Sequence, residues 1–346
     1  MGWAIYGAYG YTGRLIAALA KERGHSPLLL GRDEQQLGPV AAELGLVHRA
    51  VGLDQAQVLR QILEPLNLVV HAAGPFARTA QQMVDACLET GTHYVDVTGE
   101  IDVLESVLDL HDRALKSAVS LLPGSGFDVV PTDCLAAMVA NALPEADSLN
   151  IAFRAGGGPS RGTALTAIEG MRAGGRARID GRIETVPAGW RRRSVDFPSG
   201  SATVTSIPWG DVATATRSTG VGNVVTYTSL PMPAAQPLLA AAMRLPGMQS
   251  GLAALTKRLV GGPDDSKRSG SRSEIVVEAR KGDTVVEAAM VTPNGYSLTA
   301  DSVLHVVDRL LSGSVPAGAL TPSQAHGAEF VLGLDGVELV RPPATR

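Results

Sequence analysis

Cysteine is nearly absent: the 346-residue chain has two, Cys87 and Cys134. Neither sits at metal-ligand spacing, so no disulfide framework or zinc site is implied, and the sparse usage fits a reducing compartment. A dominant charge is also missing. With 30 Lys+Arg against 34 Asp+Glu the net charge is −4, which gives no overall bias towards nucleic acid or an anionic membrane. No uninterrupted apolar run reaches the ~20 residues that span a bilayer. The longest candidate, Met232 to Met248, is broken by Pro233, Pro237, Arg244 and Pro246 and lacks the basic amphipathic face of a surface anchor. The N-terminus, Met1-Gly2-Trp3-Ala4-Ile5-Tyr6, enters a strand-like run without the basic region and apolar stretch of a signal peptide, so a cytoplasmic protein is expected. No repeat of solenoid length is visible.

What is there is alternation. Strand-like runs at Trp3–Tyr6, Pro27–Leu30, Val47–Leu53, Asn67–Ala72, His93–Val97 and Val119–Leu122 are interleaved with helical patterns at Tyr11–Arg23, Glu34–Leu44, Gln55–Leu63, Thr79–Thr90 and Asp102–Ser117. This is the pattern of right-handed βαβ units, and several strands are apolar throughout, as when helices cover both faces of a parallel sheet. The expected fold is therefore α/β: a Rossmann doubly wound parallel sheet over residues 1–125. After Pro123 the strand candidates Leu149–Ala155, Val224–Leu230, Glu274–Arg280 and Thr284–Val291 are no longer regularly interleaved with helices, and Gly156-Gly157-Gly158-Pro159 interrupts the chain. Residues 126–295 are expected to form a second, α+β domain with a mixed or antiparallel sheet, for substrate or dimerisation. Residues 296–346, opening with an amphipathic helix at Ser297–Leu311 and a second near Pro322, are expected to pack back towards the first domain. The loops Gly174–Arg193 and Gly261–Arg272 read as solvated, mobile surface, or, at Arg191-Arg192-Arg193, as a grip for a phosphate or an acidic carrier protein.

The turn after the first strand is Gly7-Ala8-Tyr9-Gly10-Tyr11-Thr12-Gly13. Gly7 permits the tight turn, Gly10 lets backbone approach a pyrophosphate, Gly13 permits close helix–sheet packing, and the free N–H groups of the following helix face the phosphates. A glycine triplet alone could be loop geometry; its place in a βαβ series makes it a nucleotide site. The second strand ends Leu30-Gly31-Arg32-Asp33. An Arg here neutralises a 2′-phosphate, so Arg32 argues for NADP(H); the alternative is an exposed helix-start Arg32 with Asp33 accepting from the ribose hydroxyl. Asp54 closes the third strand near the adenine edge, and Ala73-Gly74-Pro75-Phe76 leaves room for backbone beside the nicotinamide ribose. His71, at the end of an apolar strand, reads as a core histidine.

The glycine loop with Gly31-Arg32, Ala73-Gly74-Pro75-Phe76, the run Gly91-Thr92-His93-Tyr94-Val95-Asp96-Val97-Thr98-Gly99-Glu100, and Gly126-Phe127-Asp128-Val129-Val130-Pro131-Thr132-Asp133 resemble the saccharopine dehydrogenase-like oxidoreductases. Within them the chain is most similar to the branch containing the bacterial trans-acting enoyl reductases, and weaker similarity continues to Asn294-Gly295-Tyr296 and Gly318–Gly327. The resemblance implies a two-domain reductase holding NADP(H) in an interdomain cleft. Its reaction is reduction of an imine C=N bond, as in saccharopine reductases, or of a C=C bond in carrier-bound lipids.

Hydride transfer needs a positioned nicotinamide and a nearby proton source. Asp128 and Glu100 lie at carboxyl ends of strands and are the titratable candidates, with Tyr94 and Thr98 as weaker donors; Phe127 is expected to line the cofactor pocket. For Asp128 a structural loop hydrogen bond is the competing reading, and Asp133 reads as a first-turn charge. Four residues after each tyrosine comes Gly10, Gly13, Leu15, Thr98, Pro231 or Ala300, never Lys, which excludes the short-chain dehydrogenase dyad. Cys134, near a helix start, reads as a small buried hydrophobe rather than a nucleophile. The substrate is expected to be a small or carrier-linked molecule, and a homodimer is an expectation. The rival reading is a non-catalytic NADP(H)-binding redox sensor, told apart by whether an open pocket stands over the nicotinamide.

Overall fold

The computed structural model describes residues 2–156, 174–229 and 270–345. The run Met232 to Met248, residues 157–159 of the glycine stretch and residues 261–269 of the second Arg- and Gly-rich loop lie outside them. The chain divides into two compact units, Met1–Val130 with Tyr296–Phe330, and Pro131–Gly295 with Val331–Arg346.

In the first unit the strands are β1 (Gly2–Tyr6), β2 (Leu28–Gly31), β3 (His48–Ala50), β4 (Leu66–His71), β5 (His93–Asp96) and β6 (Ser120–Leu122), with helices α1 (Tyr11–Glu22), α2 (Glu34–Leu44), α3 (Ala56–Leu63), α4 (Ala80–Thr90), α5 (Ile101–Leu108) and α6 (His111–Lys116). Leu29, Leu68 and Val70 on one face and Leu30 and Val69 on the other are fully buried, the result of a sheet covered on both faces. All pairings are parallel, in the order 3-2-1-4-5-6 read from the β3 edge. This is the expected doubly wound sheet, and the crossing of order beside β1 and β4 is where such sheets bind ligands.

Two features depart from expectation. A seventh strand, the dipeptide Gly318–Ala319, extends the sheet beside β6. Two small residues carry no strand signal; their backbone is recruited because β6 would otherwise end the sheet with open hydrogen-bonding groups. The helix expected over Asp102–Ser117 is two helices. Leu110 N–H bonds to Val107 O at 3.1 Å, a tightened turn that leaves Leu110 packed against the core and Ala114 fully buried.

In the second unit, helix α7 (Val130–Ala142) leads into β7 (Ser148–Arg154), β8 (Gly175–Ile179), β9 (Arg182–Val186), β10 (Arg192–Phe197), β11 (Gly200–Ser206), the helix Asp211–Thr219, β12 (Val224–Thr228), β13 (Arg272–Lys281), β14 (Thr284–Pro293) and β16 (Glu338–Thr345), β15 being the dipeptide strand above. The nine-stranded sheet runs β10-β11-β12-β7-β13-β14-β16, with β8 on β12 and β9 on β8. β7 and β12 are parallel and the other pairs antiparallel, so the sheet is mixed, as expected. The segment Gly174–Arg193, expected as a loop, is largely the β8–β9 hairpin. Its turn is Asp180-Gly181, with φ of 48° and 80°, the left-handed pair that a two-residue hairpin requires. Ala177 is fully buried between Arg176 and Arg178, so the basic residues obscured a strand alternation. Within the Arg191–Arg193 run, one guanidinium is committed to an ion pair and another to a ring. Arg193 makes a bidentate pair with Glu278 at 3.2 and 2.7 Å, and the Arg191 guanidinium stacks 4.1 Å from the Trp190 ring centroid.

Candidate functional site

The glycine loop is built as its chemistry demands. Gly7 has φ of 87°, and its N–H donates to Leu30 O at 2.9 Å, tying the loop to the end of β2. A Cβ on Gly7 would lie 2.9 Å from the backbone of Ala72 and Ala73, and one on Gly13 would lie 2.3 Å from Gly7 O. Both positions exclude any other residue. Gly10 caps α1 without a side-chain bond, and the first turn holds no acid, so the helix presents its N–H groups and positive end to an incoming anion. Thr12 is partly accessible in that turn. Tyr9 lays its ring over Gly31, where a Cβ would meet it at 2.6 Å, and Tyr11 meets Tyr296 edge-on at 4.9 Å. These residues fit a dinucleotide pyrophosphate.

At the end of β2 the two readings of Arg32 separate. Asp33 is the cap of α2, accepting from Gln35 N at 3.0 Å and Gln36 N at 3.3 Å and from the Gln36 side chain at 2.6 Å. The Gln36 side-chain bond is the main reason its carboxyl is held below the ordinary range. Asp33 is thus committed to the helix end. Arg32 is exposed and forms no ion pair among the described residues. Asp54 is exposed and folds over Gly52.

The carboxyl ends of β4, β5 and β6 carry the remaining candidates. Thr79 Oγ1 donates to Ala73 O at 2.7 Å, holding the Ala73-Gly74-Pro75 turn. Its lone pair faces His71 Nε2 at 3.0 Å. Burial pushes His71 down to about 3, so it is a neutral core histidine, one whose Nδ1 has no hydrogen-bond partner among the described residues. Glu100 Oε1 and Oε2 accept from Phe76 N and Ala77 N, each at 2.8 Å, clamping the β4 loop to the β5 loop. Tyr94 is fully buried and donates to Asp96 at 2.6 Å. Burial first, and then the nearby Asp96, pushes its hydroxyl well above the usual tyrosine range. As a donor to substrate it is out of reach. Thr98 is fully buried and binds Asp96 Oδ1 through its N–H at 2.9 Å and Glu100 N through its hydroxyl at 3.1 Å. Phe127 is 7% exposed, its N–H donating to Thr299 Oγ1 at 3.0 Å.

Asp128 stands apart. It keeps part of its surface accessible, has no hydrogen-bond partner among the described residues, and packs so closely on Gly99 that a Cβ there would lie 2.8 Å from its Oδ2. Desolvation alone pushes its carboxyl up to about 7. Two residues were missed by the sequence reading. Asp96 was visible as a charge at the end of an apolar strand, whereas Thr299, on the helix Gly295–Leu311, gave no local signal. Cys87 and Cys134 are buried and unbridged, and no cluster of metal-ligating side chains occurs among the described residues.

A parallel Rossmann sheet with an anion-ready glycine loop defines a nicotinamide dinucleotide-binding domain. Residues 3–122 match the family model of the saccharopine dehydrogenase NADP binding domain. Trans-acting enoyl reductases resemble it in sequence: that of Mycobacterium ulcerans is 30% identical over 139 residues and that of Mycobacterium leprae 31% over 140. In each case the match covers 37% of this chain and 33% of the relative, so the chain matches about a third of those proteins. Over its full length the fold is similar to apo saccharopine dehydrogenase (L-Glu forming) from Saccharomyces cerevisiae, with a TM-score of 0.65, 13% identity, and coverage of 100% of this chain and 99% of that one. No helix among the described residues is long and apolar enough to cross a membrane.

Proposed function

We propose that the protein is an NADPH-dependent oxidoreductase that reduces a C=C or C=N bond, with Asp128 as the proton donor. The observation that carries this reading is Asp128 itself: a carboxyl without a hydrogen-bond partner among the described residues, partly accessible, packed against Gly99, and raised by burial to about 7. Such a group is protonated often enough near neutral pH to give a proton and ionises readily enough to take one back. Gly7, Gly10, Gly13 and the first turn of α1, with Tyr9 and Thr12, would hold the pyrophosphate, Arg32 the 2′-phosphate, and Ala73-Gly74-Pro75 the nicotinamide ribose. When bound, NADPH supplies a hydride to one atom of the double bond. Asp128 gives its proton to the other atom, is left as the carboxylate, and is reprotonated from water. Glu100 and Tyr94, whose polar atoms are already engaged, hold loops rather than protons.

The enoyl reductases among the sequence relatives favour a C=C bond and a small or carrier-linked enoyl substrate. The test is incubation with NADPH deuterated at the transferable position together with small-molecule and lipid extracts, read by mass spectrometry. A deuterated product absent from the Asp128→Asn reaction supports the reading and identifies the bond. Tight NADPH binding with no labelled product across the extracts replaces it with a redox sensor.

A further inference from the structure

We propose that Asp96 is the positioning residue that fixes where Asp128 stands, by joining the loop after β5 to the turn after β6; this rests on the role given to Asp128 above. Asp96 is fully buried, and no cationic side chain bonds to it among the described residues. A carboxylate in that setting is costly unless its lone pairs are used. They are used in a specific way. Oδ1 accepts from Thr98 N at 2.9 Å and from Gly124 N at 2.8 Å, and Oδ2 accepts from Tyr94 Oη at 2.6 Å. Its backbone carbonyl accepts a further bond, from Ser125 N at 2.7 Å. One oxygen therefore takes an amide from each loop.

Those loops carry Gly99 and Asp128, which are in contact with no space for a methyl group between them. Their spacing is set by the shared acceptor, which holds Thr98, one residue before Gly99, and Gly124, four residues before Asp128. The turn is held on its other side by Thr299 Oγ1 to Phe127 N at 3.0 Å and by Ser302 Oγ to Ser125 O at 3.0 Å. The titratable groups around Asp96 are Tyr94 on its own strand, His71 as its register partner on β4, Glu100 on the following loop and, behind Tyr94, Cys87 of α4. Burial pushes Asp96 up to about 6, with the Tyr94, Gly124 and Thr98 bonds opposing the rise and Glu100 adding to it. Asp128 responds to desolvation and not to the charge of Asp96, so the link between them is geometric.

The test is an NMR titration of the full chain labelled with carboxyl-¹³C aspartate, the Asp128 signal being assigned by its loss in Asp128→Asn. In Asp96→Asn the amide oxygen still accepts from both N–H groups and the NH₂ turns to the Tyr94 oxygen. The Asp128 midpoint should then stay within about 0.3 of the wild-type value. In Asp96→Ser the short hydroxyl cannot serve both loops, water reaches Asp128, and the midpoint should fall by about 1 or more towards the ordinary carboxylate range. NADPH affinity, read by its fluorescence, should change by less than about two-fold in both, because the glycine loop follows β1. An unmoved midpoint in Asp96→Ser, or an equal fall in Asp96→Asn, overturns the proposal. Should Asp96→Ser not fold, the wild-type amide signals of Thr98 and Gly124 decide. They should titrate together as their common acceptor gains its proton, and separate or flat responses overturn the link. If instead Asp128→Asn keeps full turnover, the role of Asp128 as proton donor fails while each of these NMR outcomes stands.

Discussion

Glu278 in the second unit and Asp128 in the first are both carboxylates drawn out of water, and their acidities move in opposite directions. Burial raises Glu278 too, but two bonds from Arg193, the charge of Arg280 and a bond from Asn150 at 3.2 Å outweigh it and hold the group below its ordinary range. Two neighbouring glutamates are paired as well. Glu274 pairs with Arg154 at 3.4 Å and Glu287 with Arg341 at 3.3 Å, each glutamate side chain at most 10% exposed. In the first unit Asp96 and Asp128 have no cationic partner among the described residues and rise to about 6 and about 7. Paired buried acids are architecture, whereas a buried acid that can still change its protonation near neutral pH is a candidate for chemistry.

Four experiments can break or sharpen this contrast. The largest effect is expected from Gly13→Ala, whose methyl would sit 2.3 Å from Gly7 O. NADPH affinity should fall by about 100-fold or more, near 2.7 kcal/mol, by calorimetry; wild-type affinity would remove the glycine loop from the site. Next is Glu278→Ala, which strands Arg193 and Asn150. Because the Arg193 side chain is 31% exposed, the loss should be at the lower end for a buried pair, about 2–3 kcal/mol in urea unfolding, with NADPH binding unchanged. Replacing both Glu278 and Arg193 by Met should restore most of it. A loss of turnover without a loss of stability would make Glu278 functional and erase the contrast.

Asp128→Asn should act with the other sign. Its folded carboxyl keeps a proton up to about pH 7, whereas the unfolded one releases it near 4, so the folded state binds more protons in between and loses stability as pH rises through that window. The variant should be more stable than wild type at pH 8, by about 2 kcal/mol or roughly 5 °C after allowance for partial solvent access, and nearly equal to it at pH 4. A melting difference independent of pH would mean that Asp128 is an ordinary surface acid. The smallest effect is expected from Arg32→Ala, which should narrow the preference for NADPH over NADH by about ten-fold, close to 1.4 kcal/mol, without weakening NADH. Equal affinities in the wild type would return the ribose to another residue.

Much of the first unit was legible because its signals are local. Apolar runs separated by helical periods predict parallel strands, and the glycines of Gly7–Gly13 are required by backbone geometry within a single turn. Asp128 and Arg32 could be named because each sits just beyond a strand end. The second unit was harder to read. Arg176, Arg178 and Arg182 disguised a hairpin whose Asp180-Gly181 turn was the stronger signal, and in β13 Glu274 and Glu278 put charges on a strand interior because their partners come from other strands.

By itself the sequence determined the class of the fold, the nucleotide loop and the short list of acids, since each depends on periodicity or on residues within one turn. Only the tertiary structure decided among those acids. Glu100 took two amides of a loop 23 and 24 residues away, Tyr94 closed on Asp96, Asp33 turned to its own helix, and Asp128 has no hydrogen-bond partner among the described residues. The physical reason is that acidity depends on solvent and neighbours, and neighbours distant in the chain are chosen by packing.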